Sequence, residues 1–129
     1  MLEIKHPYLL FLGDAVDQLA AKTADGVARW RPEWCLGQLR LPGCAADVGL
    51  PDMSVQEAQE RGARTLVIGV ANRGGIISDV WMETLLSALD AGFDIASGLH
   101  NRLGLLPALA DRAQRLGREL VDVRYPELE

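Results

Sequence analysis

A chain of 129 residues, 49% apolar and 24% charged, has the length and composition of one globular domain and not of a disordered segment. A formal charge of −5, with arginines scattered from Arg29 to Arg118, argues against a nucleic-acid groove, which needs clustered cations. Two cysteines outside CxxC spacing and two histidines argue against a zinc site.

The elements follow in chain order. Tyr8–Leu12 is an unbroken apolar run, as expected of a strand covered on both faces. Gly13-Asp14 interrupts it, so it is neither a membrane span nor a signal-peptide core, and the expected location is the cytoplasm. Asp14 is expected to cap a helix whose inward positions are Val16, Leu19, Ala20, Thr23 and Val27. Trp34–Leu39 reads as a second strand, interrupted by Gly37 and Gln38. An irregular stretch, Arg40–Met53, is rich in Pro and Gly. Ser54-Val55-Gln56-Glu57 has the pattern of a capping box, opening a short helix that stops at Gly62.

Thr65–Val70 is the strongest strand signal, and Asn72-Arg73-Gly74-Gly75 a loop. A helix is predicted over Asp79–Ala91, with Val80, Leu85, Leu86 and Leu89 inward and Gly92 as its stop. Phe93–Ala96 is a fourth strand. Beyond the turn Ser97–Asn101, a helix carries Leu105, Leu106, Leu109, Ala110, Ala113 and Leu116 inward and ends at Gly117. Glu119–Val123 is the fifth strand. Alternating strands and helices predict a Rossmann-like, doubly wound parallel sheet of about five strands with helices on both faces. The expected strand order is 3-2-1-4-5.

Ligands of such sheets bind beyond the carboxyl ends of the strands. Asn72, Arg73, Gly74 and Gly75 lie there, between strand and helix. The glycines let backbone N–H groups approach an anion, and Asn72 and Arg73 add side-chain donors. Ser97 and Gly98 flank the same edge, and Arg40 ends the second strand. His100 has the chemistry of a general base, and Asp14 is expected to orient it, with the first and fourth strands as neighbours. The plain alternatives are a tight turn for the glycines, a backbone-bonded histidine and a helix cap for Asp14. Cys44 reads as an inert thiol. Trp30, Trp34 and Trp81 read as core or interface packing. The first turn, Gly13–Asp17, lacks G-x-G-x-x-G and carries two carboxylates, so tight NAD or NADP binding is not expected. There is no Walker A motif either.

The run Gly69–Gly75, followed by Ser97-Gly98-Leu99-His100, resembles the N-terminal domain of the DgcN-like family, long labelled a domain of unknown function. Lys22-Thr23-Ala24, Trp30-Arg31-Pro32-Glu33 and Val123-Arg124 extend the resemblance over nearly the whole chain. That family includes D-glutamate N-acetyltransferases. The resemblance implies a Rossmann-like half that precedes a P-loop-type half absent from this chain. It implies substrate binding for N-acyl transfer to an acidic amino acid, with little activity for this half alone. The expected ligand is a small carboxylate or phosphate. A nucleotide or acetyl-coenzyme A would be engaged by the longer polypeptide. The P-loop-type half and a second copy of the chain are the expected protein partners. The rival expectation is a non-catalytic small-molecule sensor or docking module using the same rim.

Overall fold

The computed structural model describes residues 4–70, 77–97, 103 and 106–122. Its strands are β1 (Tyr8–Gly13), β2 (Cys35–Arg40), β3 (Thr65–Ile68), β4 (Asp94–Ser97) and β5 (Leu120–Asp122). Its helices are α1 (Lys22–Trp30), α2 (Val55–Glu60), α3 (Asp79–Asp90) and α4 (Pro107–Leu116). Short 3-10 turns at Leu19–Ala21 and Pro32–Trp34 flank α1. All five strands are parallel in one sheet, and the Rossmann-like α/β class expected from the alternation holds.

The strand order is β2-β1-β3-β4-β5, which corrects the expected 3-2-1-4-5. The second crossover turns back over β1, so β3 pairs with β1 and not with β2. The physical reason lies in the strands themselves. Every residue of β3 is buried, and an almost entirely apolar ribbon gains most where neighbours cover both its edges, whereas the expected order would leave β3 at the edge of the sheet. β2 carries Gln38 and ends in the exposed Arg40, which suits it to the edge. That edge is partly closed from outside. Gln38 N donates to Pro51 O at 2.9 Å, and Met53 N donates to Gln38 O at 3.0 Å. Residues 51–53 thus shield part of what would be an open strand edge. Gly37 permits this contact, since a Cβ there would lie 2.6 Å from Met53 Cε and 2.8 Å from Pro51 O.

The crossover β1–α1–β2 runs in the opposite direction along the sheet from the later three. With right-handed connections, α1 lies on one face and α2, α3 and α4 on the other. Contacts of α3 with both α2 and α4 agree. The capping box of α2 is present: Ser54 Oγ accepts from Glu57 N at 3.1 Å, and Ser54 N donates to Glu57 Oε1 at 2.8 Å. Gly117, at φ 73°, ends α4 in the left-handed conformation.

The first helix departs from expectation. Asp14 does not cap it. It begins at Lys22, and Val16 (59% exposed) and Leu19 (74%) face solvent. The chain after β1 is held instead by the β2 loop: Leu41 N donates to Gly13 O at 2.9 Å, and Ala45 N to Ala15 O at 2.8 Å. Those bonds hold it in a turn and bends until Asp17 Oδ1 accepts Ala20 N at 2.9 Å and starts the first 3-10 turn. Val80, expected inward on α3, is exposed, and so is Trp30.

The head of α1 sits directly on the end of β3. Ala24 N donates to Gly69 O at 3.0 Å. A Cβ on Gly69 would stand 2.7 Å from Ala24 Cα and 2.8 Å from Ala24 N. Backbone cannot retreat as a flexible side chain can, so Gly69→Ala is expected to destabilise the domain by roughly 1–3 kcal/mol, as overpacking does. Gly26, inside α1 with nothing near its Cβ position, is the counter-case. Gly26→Ala should stabilise by about 1 kcal/mol through helix propensity. Urea denaturation of the two variants should move the midpoint in opposite directions, and movement of both the same way would refute this account of the α1–β3 contact.

Candidate functional site

The strand order puts the switch point between β1 and β3, because the chain leaves β1 toward β2 and leaves β3 toward β4. Gly13-Asp14 and Gly69-Val70 emerge there. Asp14 is exposed, and its Oδ1 accepts the indole N–H of Trp81 at 2.8 Å. Trp81, in the first turn of α3, is buried and meets Phe11 edge-on at 5.2 Å. Gly13, at φ 56°, has no room for a side chain, since a Cβ would stand 2.9 Å from the indole. The end of β1 is therefore shaped around one tryptophan, and Asp14 satisfies that tryptophan's polar atom.

The expected adjacency of Asp14 to the β4 end is corrected by the topology. β3 lies between β1 and β4, which sets the two strand ends about 9–10 Å apart by ordinary strand spacing. Ser97 is fully buried at the end of β4, in register with Ile68 and Asp122. Asn72, Arg73, Gly74, Gly75, Gly98 and His100 lie outside the described residues.

Arg40 is within the described region, and its charge is paired. Its Nε and Nη2 each reach an oxygen of Asp52 at 2.7 Å, Nη1 lies 3.5 Å from Asp47, and Nη1 donates to Ala46 O at 3.3 Å. Buried Gln38 completes the network, donating to Asp47 Oδ1 at 3.0 Å and Asp52 Oδ1 at 3.1 Å while accepting Val48 N at 2.9 Å. Gln18 joins from the β1 side through both backbone groups of Asp47. The carboxyl of Asp47 is held below its usual range by the Gly49 N–H, then by Gln38 and Arg40. Asp52 is lowered chiefly by its hydrogen bond from Arg40, and the same bond raises Arg40. Sequence reasoning passed over Gln38, Asp47 and Asp52. The available signal was a polar residue in a strand whose neighbours are apolar, since a buried amide needs partners close by.

An open cleft of about 1030 Å³ runs between this loop, the start of α2 and the middle of α3, lined among others by Arg40, Cys44, Ser54, Glu57, Glu83 and Thr84. Its acidic members outnumber its one paired arginine. Cys44 borders it, its thiol 3.6 Å from Ala46 O. Cys35 lies at the opposite end of β2, and burial, reinforced by Glu33, pushes its thiol up to about 11. Among the described residues no cluster of side chains could hold a metal ion, and no helix is long and apolar enough to cross a membrane.

The helix N-termini differ in what remains free. That of α1 is engaged by Gly69 O. That of α3 is capped by Ser78 Oγ, which accepts Trp81 N at 3.2 Å, and carries Asp79 in its first turn. That of α4, at Pro107, has no side-chain cap and no acidic residue in its first turn. The favourable dipole end nearest in sequence to His100 is thus the least neutralised.

A family model described as a domain of unknown function (DUF1611_N), Rossmann-like domain, matches residues 39–126. The chain is 57% identical to a D-glutamate N-acetyltransferase of Tritonibacter scottomollicae over 126 residues, 98% of this chain and 38% of that protein. It is 42% identical over 125 residues to a D-glutamate N-acetyltransferase of a Pseudoalteromonas species, 97% of this chain and again 38% of the relative. The chain therefore spans less than two-fifths of the length of these curated relatives. A crystal structure of a DUF1611-family protein from Anabaena variabilis superposes with a TM-score of 0.76 at 26% identity, covering 99% of this chain and 39% of that one. Homoserine dehydrogenase of S. aureus shares the fold alone, with a TM-score of 0.55 at 14% identity, covering 95% of this chain and 33% of that one.

Gln38→Ala should cost roughly 2–3 kcal/mol, since three hydrogen bonds are lost and two carboxylates lose a donor. Asp47 and Asp52 have folded pKa values below the ordinary 3.8, so their stabilisation is fully present above that value and is lost as pH falls through the folded values. Urea midpoints measured from pH 6 down to pH 2 should fall, and Asp52→Asn should flatten that fall. An unchanged slope in Asp52→Asn would rule out this contribution.

Proposed function

Because the chain belongs to the DUF1611_N family of Rossmann-like domains, we propose that it is the substrate-binding N-terminal domain of an N-acyltransferase acting on an acidic amino acid such as D-glutamate. The observation that carries the reading is 57% identity to a D-glutamate N-acetyltransferase across 98% of this chain. The chain spans 38% of that relative, and in this reading the rest of the active site is supplied by the longer polypeptide.

N-acyl transfer needs three things from the protein. The acceptor's carboxylates must be held, its ammonium must lose a proton, and the amine must be aimed at the thioester carbonyl. In our reading, Asn72, Arg73, Gly74 and Gly75, after β3, receive one carboxylate. Ser97, Gly98 and the uncapped head of α4 receive the other. His100 takes the proton from the amine nitrogen. Asp14 attracts the ammonium with the oxygen that Trp81 leaves over. Arg40 is paired with Asp52, so its part is to brace the rim and not to grip the substrate. The acyl donor, acetyl-coenzyme A, is held by the remainder of the protein. No dinucleotide is assigned to this domain: the glycine fingerprint is absent after β1, and the head of α1 is engaged by Gly69 O.

The 129-residue chain alone should show no measurable acetylation of D-glutamate by acetyl-coenzyme A, because donor positioning, which can supply roughly 7–11 kcal/mol of a barrier, is missing. Extended with the remaining part of the Tritonibacter relative, it should turn over. There His100→Ala should lower kcat by about 10²–10⁴, and Gly74→Val should raise KM for D-glutamate. Turnover by the isolated chain would overturn the assignment of a partial site. Tight binding of an amino acid without turnover in the extended protein would favour a sensor.

A further inference from the structure

Five large apolar side chains are exposed among the described residues, and they fall into two groups. Trp30 and Leu116 sit near the carboxyl ends of α1 and α4, at the edge of the sheet opposite the switch point. Trp30 there has the Arg31 guanidinium over its ring at 4.8 Å and Trp34 edge-on at 5.9 Å. Val16 (59% exposed), Leu19 (74%) and Val80 (56%) lie at the switch-point edge. Val16 and Leu19 follow β1, and Val80 precedes Trp81. The 2.8 Å bond between Asp14 and Trp81 holds these two segments together. Three branched aliphatic side chains therefore stand in water on the two segments that this bond joins.

We propose that Val16, Leu19 and Val80 form the seat of a second domain of the same polypeptide, which closes over the switch-point rim; this rests on the reading under Proposed function. Two observations favour that occupant. The curated relatives carry more than half their length beyond the region matched here. β5 runs parallel to the other strands, so its carboxyl end points to this same edge. The chemistry of the covering surface follows from the border of the patch. Asp14, Asp17 and Asp79, all exposed, stand within two residues of Val16, Leu19 or Val80 in sequence. The complementary surface is apolar at its centre with lysine or arginine at its rim. Closure there removes water from the neighbourhood of Asp14 and brings the acyl donor's half of the site against the acceptor's half.

The test compares two proteins, the 129-residue chain and the same chain continued into the remaining part of the Tritonibacter relative. Hydroxyl-radical labelling with mass-spectrometric readout follows Leu19, Val80 and Trp30. Labelling of Leu19 and Val80 should be lost in the extended protein while Trp30 labels equally in both. Leu19→Glu, at a position exposed enough to leave folding intact, should restore labelling of Val80 in the extended protein. Equal labelling of Leu19 and Val80 in both proteins would overturn the proposal. So would a dimer of the 129-residue chain, seen by light scattering and split by Leu19→Glu, since the occupant would then be a second copy. The readout is independent of chemistry: protection without acetylation of D-glutamate sinks the function and keeps the docking surface, and acetylation without protection does the reverse.

Discussion

The burial of β1 on both faces and along both edges governs the arrangement. Its six residues are all buried, and Leu9, Leu10, Phe11 and Leu12 have no exposed surface. Each such side chain gains on the order of 1.5–3 kcal/mol by leaving water, and a central strand secures that gain on every side. With β1 interior and the partly polar β2 at the edge beside it, β3 takes the other side of β1, and the switch point opens between Gly13 and Gly69. Both positions are constrained by close approach, Gly13 to the Trp81 indole and Gly69 to the Ala24 backbone. Where the rim lies is thus a consequence of where the most apolar strand lies.

The polar network at the β2 edge solves a second problem created by that arrangement. A flanking strand beside a long irregular connection, residues 41–53, exposes backbone groups that need partners. Gln38, Arg40, Asp47 and Asp52 provide a cross-braced support for it, and residues 51–53 cover part of the strand edge. The bidentate Arg40–Asp52 pair is partly solvated, so its Coulomb energy alone is modest. Its value is geometric: it fixes the loop that in turn pins Gly13 O and Ala15 O, and so fixes the path from β1 to α1.

Much of the fold was legible because local signals agree with the tertiary outcome. Tyr8–Leu12, Thr65–Ile68, the Ser54–Glu57 capping box and the Gly117 stop each report a short-range preference that packing then uses. The strand order was not legible. It depends on which of two strands prefers an edge, and Gln38 looked like a defect in β2 until its three partners were placed around it. The start of α1 was misjudged for a related reason. Val16 and Leu19 match a helical period, yet long-range bonds from Leu41 to Gly13 and from Ala45 to Ala15 fix the chain there in a non-helical path. Asp14 was recognised as a rim residue, but its partner, Trp81, lies 67 positions away, beyond the reach of any local pattern.

The described rim groups also narrow where a zwitterionic substrate of the proposed kind would find its complementary charges. The carbonyls of Gly13 and Ala15 accept from the β2 loop, the head of α1 donates to Gly69, and the head of α3 is capped by Ser78 and carries the negative charge of Asp79. Asp14 adds a second carboxylate on the same side of the sheet. The described groups around Asp14 and the head of α3 therefore favour a cation, such as a substrate ammonium. The β4–β5 side, with α4 uncapped and without an acid in its first turn, favours an anion. An amino acid carries both charges a few ångströms apart. Under the proposed function, the polarity of the rim would orient the substrate across β3, amine toward Asp14 and carboxylate toward the head of α4, before any side chain of the intervening loops makes contact.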